Sequence, residues 1–241
     1  RDPHNGDNVG LYLHYGDLAN TGNLVDMIYN IRPDEVYHLA AQSFVGASFE
    51  QPVGAGEITG LGVTRVLEAV RTINPRIRLY QASTSELYGK GNSHYQCEDT
   101  PFRPSSPYAA AKLYGYWVTR IYREGYRIFA CNGILFNHES PLRGLEFVTR
   151  KISNGVAKIA LGLETEMRLG NLEARRDWGY APEYVESMWL MLQQSDPDDY
   201  VVSTGETHSV KYFAQRAFEV VGRDGEQYTK VDKGLLRPLD V

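Results

Sequence analysis
Short β-rich runs alternate with helical patterns through the first half of the chain, and that alternation leaves few folds open. The strand-like runs lie near Val9 to Tyr15, Glu35 to Leu39, Ile77 to Ala82 and Ile128 to Leu135, and helical patterns near Asn23 to Ile31, Gly60 to Thr72 and Tyr108 to Arg123 separate them. A strand followed by a helix returns the chain to the same end of the sheet, so successive strands run parallel and helices cover both faces. The expectation is an α/β fold, a Rossmann-like doubly wound parallel sheet. Later helices near Phe147 to Leu161, Glu183 to Gln194 and Val210 to Val221 are interleaved with shorter irregular pieces, which predicts a smaller lobe woven into the first. With 241 residues, 42% of them apolar, the chain can bury a core of this kind as one domain.

Composition excludes several classes. A net charge of −5 gives no electrostatic reason to expect nucleic acid or an anionic membrane as partner. No apolar run approaches the ~18 residues of a membrane span, and the opening Arg1-Asp2-Pro3-His4 is not a signal peptide. Two cysteines, Cys97 and Cys131, have no metal-ligand spacing and suit a reducing, cytoplasmic setting, so no metal site is expected. Pro, Gly and polar residues from Lys90 to Ser106 predict a loop.

That loop separates two segments that carry chemistry. Ser106 and Pro107 read as a helix start, which puts Tyr108 and Lys112 one turn apart on one face. A cation there is expected to lower the phenol's pKa from about 10 toward the range of a general base. Upstream, Arg78 to Ala82 reads as a strand and Ser83-Thr84-Ser85-Glu86 follows it, where open α/β sheets present ligand-binding groups. Thr84 could donate to a substrate oxygen and Glu86 could move a proton at a neighbouring carbon. Each motif alone has a plainer reading: solvated helices also carry Tyr and Lys at this spacing, and Ser-Thr-Ser-Glu also fits a capping box. Their combination, in strand-then-helix context, is more specific. A dinucleotide fold also normally opens with a strand, a glycine-rich turn and a helix whose N-terminus holds the pyrophosphate. Gly54-Ala55-Gly56 and Gly60-Leu61-Gly62 lack the third glycine and a preceding strand, so no phosphate loop of that type is expected here.

With these residues the chain resembles the GDP-mannose 4,6-dehydratase family, part of the extended short-chain dehydrogenase/reductase superfamily. The Tyr108/Lys112 pair marks only the superfamily; Gly133-Ile134-Leu135-Phe136-Asn137-His138-Glu139-Ser140-Pro141 is the more specific stretch, and Gln81 through Gly89, Phe147 through Ile152 and Arg176-Asp177-Trp178-Gly179 add to it. The resemblance implies conversion of GDP-mannose to GDP-4-dehydro-6-deoxymannose through NADP, with Thr84, Glu86, Tyr108 and Lys112 as catalytic residues. It implies cofactor contacts at Asp17, Leu18, Leu39, Ala40, Ala41, Gln42, Ser43, Lys112, His138 and Arg143. Substrate contacts are implied at Ser85, Asn137, Lys151, Arg176, Arg237 and Asp240. It further implies that residues 1–140 form mainly the cofactor part and 141–241 mainly the substrate lobe, of a homodimer or homotetramer when complete. Against the family pattern the glycine-rich βα unit and a final helical stretch are absent, which reads as an internal part of a longer enzyme.

Departures from the pattern fall elsewhere. Gly54 stands where the family has a tyrosine that contacts the cofactor, Leu142 replaces the first arginine after Ser-Pro, and Asp240 shortens a usual glutamate. Gly54 and Gly56 near a helix start are expected to loosen it, by about 1 kcal/mol each within a helix. A nucleotide-sugar epimerase or 4-reductase on the same fold would keep Tyr108 and Lys112 without needing Glu86. A non-catalytic binding protein is the alternative outside enzymes.

Overall fold
The computed structural model describes residues 10–90 and 95–236. Its elements in chain order are helix α1 (Thr21–Ile31), strand β1 (Glu35–His38), α2 (Val45–Glu50), α3 (Pro52–Ala55), α4 (Gly62–Ile73), β2 (Arg78–Ala82), α5 (Pro107–Tyr126), β3 (Ala130–Leu135) and β4 (Asn137–Glu139). There follow α6 (Val148–Ala160), β5 (Met167–Leu169), β6 (Arg175–Arg176), β7 (Trp178–Tyr180), α7 (Ala181–Leu192), β8 (Asp199–Val202), β9 (His208–Ser209), α8 (Val210–Val220), α9 (Gly225–Tyr228) and β10 (Thr229–Val231).

Four strands form one parallel sheet in the order β1-β2-β3-β8. Alternate residues of the central strands feed different helical layers, because successive side chains leave a strand on opposite faces. Leu79 and Ala130 pack with Val63, Leu67 and Val70 of α4 and Tyr122 of α5. Tyr80, Cys131 and Leu135 pack with Tyr184, Met188 and Leu192 of α7. The doubly wound α/β sheet expected from the alternation is therefore present. Every residue of β3 is buried, as a strand covered on both faces requires. The smaller lobe has its own core, where Ile152, Val156 and Ile159 of α6 meet Met167, Leu169, Ala214 and Phe218. Because α7 and β8 return from the later half of the chain to the sheet, the two cores are interwoven.

Two expectations are corrected, and one strand was not foreseen. The strand near Val9 to Tyr15 does not form over its described residues, which are exposed and join no ladder. A strand exists only through its partner's hydrogen bonds, and among the described residues β1 pairs only with β2. The helix expected from Gly60 begins much earlier: α2 and α3 lead through a π-helical stretch, Gly56–Leu61, directly into α4. Buried Thr59 and Gly60 lie in that stretch, which packs on α5, so tertiary packing overrides the glycine punctuation. Strand β8 was not expected at all, being only four residues long and directly following the turn-like Asp196-Pro197-Asp198.

Candidate active site
Helix α5 starts as its sequence dictates. The Ser106 hydroxyl accepts a hydrogen bond from the Ala109 amide at 3.0 Å, and Pro107 occupies the first helical position, where its missing N–H costs nothing. Tyr108 and Lys112 then point from the first turns toward the carboxyl end of β2, where the Lys112 ammonium donates to the Ala82 carbonyl at 2.7 Å. After β2 a short 3-10 turn, Ser85–Tyr88, is capped by Thr84, whose hydroxyl accepts from the Glu86 amide at 3.2 Å. Gly89 ends this turn at φ +54°, and a side-chain carbon there would sit 1.9 Å from the Arg103 carbonyl oxygen. Glu86 does not close a capping box: its carboxylate has no hydrogen-bond or ion-pair partner among the described residues.

These side chains line a cavity of about 580 Å³ outside the carboxyl ends of β1, β2 and β3. Of the sequence-predicted residues, Thr84, Ser85, Glu86, Tyr108, Lys112, Leu39, Ala41, Ser43, Asn137, His138, Arg143, Lys151 and Arg176 all line it. Ala40 and Gln42 alternate with the lining residues of their segment; the Gln42 amide donates to the Thr59 hydroxyl at 3.1 Å, so the π-helical stretch braces this loop. Asp17 and Leu18 lie away from the cavity. The Asp17 carboxylate accepts from the Ala19 amide, and Leu18 packs on Gly62. Arg237 and Asp240 fall outside the described residues.

The electrostatics differ from the sequence expectation. Burial pushes the Tyr108 phenol up to about 12, opposed by the Thr84 hydroxyl, which favours the phenolate as a hydrogen-bond donor. The nearby Glu86 charge raises it further, and the cation that lowers it is Arg143 rather than Lys112. Lys112 is 4% exposed, and burial depresses its own pKa to about 8. Its nitrogen lies 5.9 Å from the Tyr108 ring centroid and is turned to Ala82, which explains why the expected lowering through the i, i+4 pair does not arise. Beneath it, His38 is buried beside the Lys112 charge and depressed to about 4, first by desolvation and then by that charge.

Sequence reasoning named Arg143 but passed over Glu139, Phe147 and Phe44, the side chains that surround it in one wall of the cavity. The Arg143 guanidinium lies over the Phe147 ring, 3.6 Å from its centroid, and Phe147 meets Phe44 edge-on. Glu139 sits 3.2 Å from the Arg143 Nε. Only the spacing of acid and base within one loop hinted at this pairing. His138 stacks on Tyr184 at 4.7 Å and shares a 2.8 Å contact with the Phe136 carbonyl. Among the described residues no cluster of three His, Cys, Asp or Glu is placed to hold a metal ion. No helix of the described residues is long and apolar enough to cross a membrane.

A doubly wound sheet with Thr84, Tyr108 and Lys112 at its carboxyl edge defines an enzyme of the short-chain dehydrogenase/reductase class. Solved structures agree on the fold: UDP-glucose 4-epimerase of Thermus thermophilus, in complex with NAD, superposes with a TM-score of 0.82 at 26% identity over 97% of this chain and 75% of its own. RMD from Pseudomonas aeruginosa, complexed with NADPH, gives 0.84 at 21% identity, covering 92% and 77%. The profile of the family described as GDP-mannose 4,6 dehydratase matches residues 1–240. GDP-mannose 4,6 dehydratase 1 of Arabidopsis thaliana is 50% identical over 100% of this chain and 67% of its own length. GDP-mannose 4,6 dehydratase 2 of Caenorhabditis elegans is 52% identical over 95% and 62%, and the Yersinia enterocolitica enzyme 51% over 92% and 60%. The chain belongs to the GDP-mannose 4,6-dehydratase family. It spans between 60% and 67% of the length of these three relatives.

Proposed function
We propose that the protein of which this chain is part dehydrates GDP-α-D-mannose to GDP-4-dehydro-6-deoxy-α-D-mannose, using NADP without net change. The observation that carries this reading is Glu86: a half-buried carboxylate with no partner among the described residues, lining the same cavity as Thr84, Tyr108 and Lys112. A capping glutamate would be engaged with backbone, and simple oxidoreduction of a hydroxyl leaves such a group without work.

The residues present fit a nicotinamide cofactor. The Ser83 hydroxyl is buried in the cavity wall with no partner among the described residues, and Lys112 commits a single N–H to Ala82, which leaves donors for ribose hydroxyls. Leu39, Ala41, Ser43, Lys112, His138 and Arg143 would hold it, and the family pattern implies its phosphorylated form, NADP. The chemistry it supplies when bound is to accept a hydride from C4 and return it at C6. Tyr108 takes the C4 hydroxyl proton, with Thr84 donating to the same oxygen. A C4 ketone acidifies the C5 proton, which Glu86 removes and then delivers to the departing C6 hydroxyl, so that water leaves; a proton taken up at C5 when C6 is reduced restores the ketone and balances the one that Tyr108 took and releases. Lys151, Arg176 and Asn137 lie on the cavity wall where they can bind the nucleotide diphosphate through charge-assisted hydrogen bonds. Arg237 and Asp240, Asp17 and Leu18 complete the proposed contact set from the family pattern.

The setting we propose is cytoplasmic, which both free cysteines suit. Self-association as a homodimer or homotetramer is supported by Tyr114, Trp117 and Ile121, exposed at helical spacing on α5. The test of the reaction is incubation of the full-length protein with GDP-mannose and NADP+, following loss of one water from the sugar nucleotide by mass spectrometry. Wild type should form product and Glu86→Gln, folded by circular dichroism, should form almost none. Undiminished turnover by that variant would refute the assignment.

A further inference from the structure
The stretch from Asn137 to Phe147 crosses the cavity wall, and the reaction above uses its asparagine, histidine and arginine while giving no task to Glu139. That carboxylate is 19% exposed and lines the cavity, yet the same oxygen, Oε2, faces two partners on different segments. One is the Arg143 guanidinium, with Nε at 3.2 Å in an ion pair that is not aligned as a hydrogen bond. The other is the Thr149 hydroxyl, which donates at 2.6 Å.

Both partners stand at points that need holding. Arg143 sits on a turn built from Ser140, whose hydroxyl and carbonyl accept from the amides of Leu142 and Arg143 at 3.1 and 3.0 Å. The turn fixes the backbone there but leaves a long side chain free to swing. Phe147 supports one face of the guanidinium and Glu139 its Nε, which leaves the remaining N–H groups for a ligand of the cavity that Arg143 lines. Thr149 is 6% exposed in the first turn of α6, whose N-cap residue, Phe147, supplies no side-chain acceptor. Glu139 brings both an acceptor and a negative charge to that positive helix end. Lys151, two residues on from Thr149, lines the same cavity.

We propose that Glu139 is a positioning residue: one carboxylate oxygen fixes the Arg143 guanidinium on the Phe147 ring and, through Thr149, the turn of α6 that carries Lys151. It thereby sets the separation of two cations that receive diphosphate groups. The Arg143 charge also reaches Tyr108, so a displaced guanidinium disturbs the phenol as well. The inference rests on the functional reading above in one respect, that the cavity takes diphosphate-bearing nucleotides.

The test is direct binding to full-length protein, with NADPH and GDP as separate probes in isothermal titration calorimetry. E139Q keeps an acceptor for Thr149 but loses the charge opposite Arg143, and should weaken NADPH about tenfold with an unchanged circular dichroism spectrum. In an R143A background the same change should have no further effect, since the two residues act as one unit. Thr149→Val should weaken GDP while Thr149→Ser retains wild-type affinity. Wild-type affinity of E139Q for NADPH, or a loss as large in the R143A background, overturns the proposal. Should E139Q fail to fold, the Thr149 pair decides, and equal GDP affinity of the two variants overturns it. Wild-type protein that binds neither probe is a separate result, which refutes the functional reading and this inference together.

Discussion

The Lys112 ammonium donates to the Ala82 carbonyl at 2.7 Å, fastening helix α5 to the last residue of β2 with a side chain that is 4% exposed. A buried cation resists its own charge, and its pKa falls from 10.5 to about 8.

That depression has a defined effect on stability. Between about pH 8 and 10.5 the unfolded chain keeps the lysine proton while the folded chain releases it, so the unfolded state binds more protons and stability rises with pH through this window. Below it the lysine is charged in both states and carries its full burial cost, about 3 kcal/mol for a shift of this size. Lys112→Met should therefore be more stable than wild type at pH 7 by up to about 3 kcal/mol, the lost hydrogen bond reducing the gain. The advantage should shrink toward zero by about pH 10.5, as measured by urea denaturation of both proteins in parallel. A difference that is constant with pH would show that Lys112 is not held in this state. Turnover should be lost at every pH.

The Asp199 carboxylate organises the opposite end of the sheet. Burial favours its protonated form, but paired hydrogen bonds from Arg123 at 3.0 and 2.9 Å, one from Asn132 at 2.8 Å and one from Tyr116 at 2.9 Å hold its pKa below 3.8. Its contribution is present above the unfolded pKa and is lost as pH falls through the depressed one. Asp199→Ala leaves the Arg123 charge uncompensated and should cost about 3 kcal/mol or more, read as a fall in the urea midpoint. Asp199→Asn, which can still accept from Asn132, should cost less.

How much of this was legible in the sequence follows from the range of each interaction. Strands β1, β2 and β3 and helices α1, α5, α6, α7 and α8 lie within a few residues of their expected places, because each carries its own apolar period. The strand expected near Val9 to Tyr15 has the same local pattern, but a ladder partner is not a local property. Four-residue β8 and the two- and three-residue ladders of the smaller lobe are too short to show a period. At the site, Thr84, Glu86, Tyr108 and Lys112 announced themselves through two compact motifs. What tunes Tyr108 was misread, because Arg143 reaches it from a loop beyond β3, while the adjacent Lys112 is pulled away by Ala82. Sequence proximity is a poor guide to which charge a buried phenol meets.

Gly89 makes the placement of Glu86 testable without touching any catalytic group. Its φ of +54° and the 1.9 Å approach of the Arg103 carbonyl leave no room for a side chain, and the clash is with backbone. Gly89→Ala should cost at least about 2 kcal/mol, from strained backbone and displaced loop together. Because the turn it ends carries Glu86, turnover should fall by more than the loss of folded protein accounts for. Equal activity per folded molecule would show that Glu86 is placed by other contacts.

Gly54 and Gly56 offer the converse experiment. Gly54 lies within α3 without a positive φ, Gly56 has right-handed helical angles of −64° and −44°, and a side-chain carbon at either would have nothing within 4 Å. Nothing in the fold requires glycine at these two places, and the unfolded chain gains entropy from both. Alanine removes part of that entropy and adds helix propensity, so each substitution should stabilise the protein by about 0.4 to 1 kcal/mol. The stretch they begin runs through the π-helical residues to Thr59, whose hydroxyl accepts from the Gln42 amide beside the cavity. A stiffer helix start should therefore slow amide exchange at Gln42 as well as raise the melting temperature, and hydrogen exchange on Gly54→Ala/Gly56→Ala reads both effects. Unchanged exchange at Gln42 together with a raised melting temperature would mean that the brace on the 39–43 loop is independent of the helix preceding it.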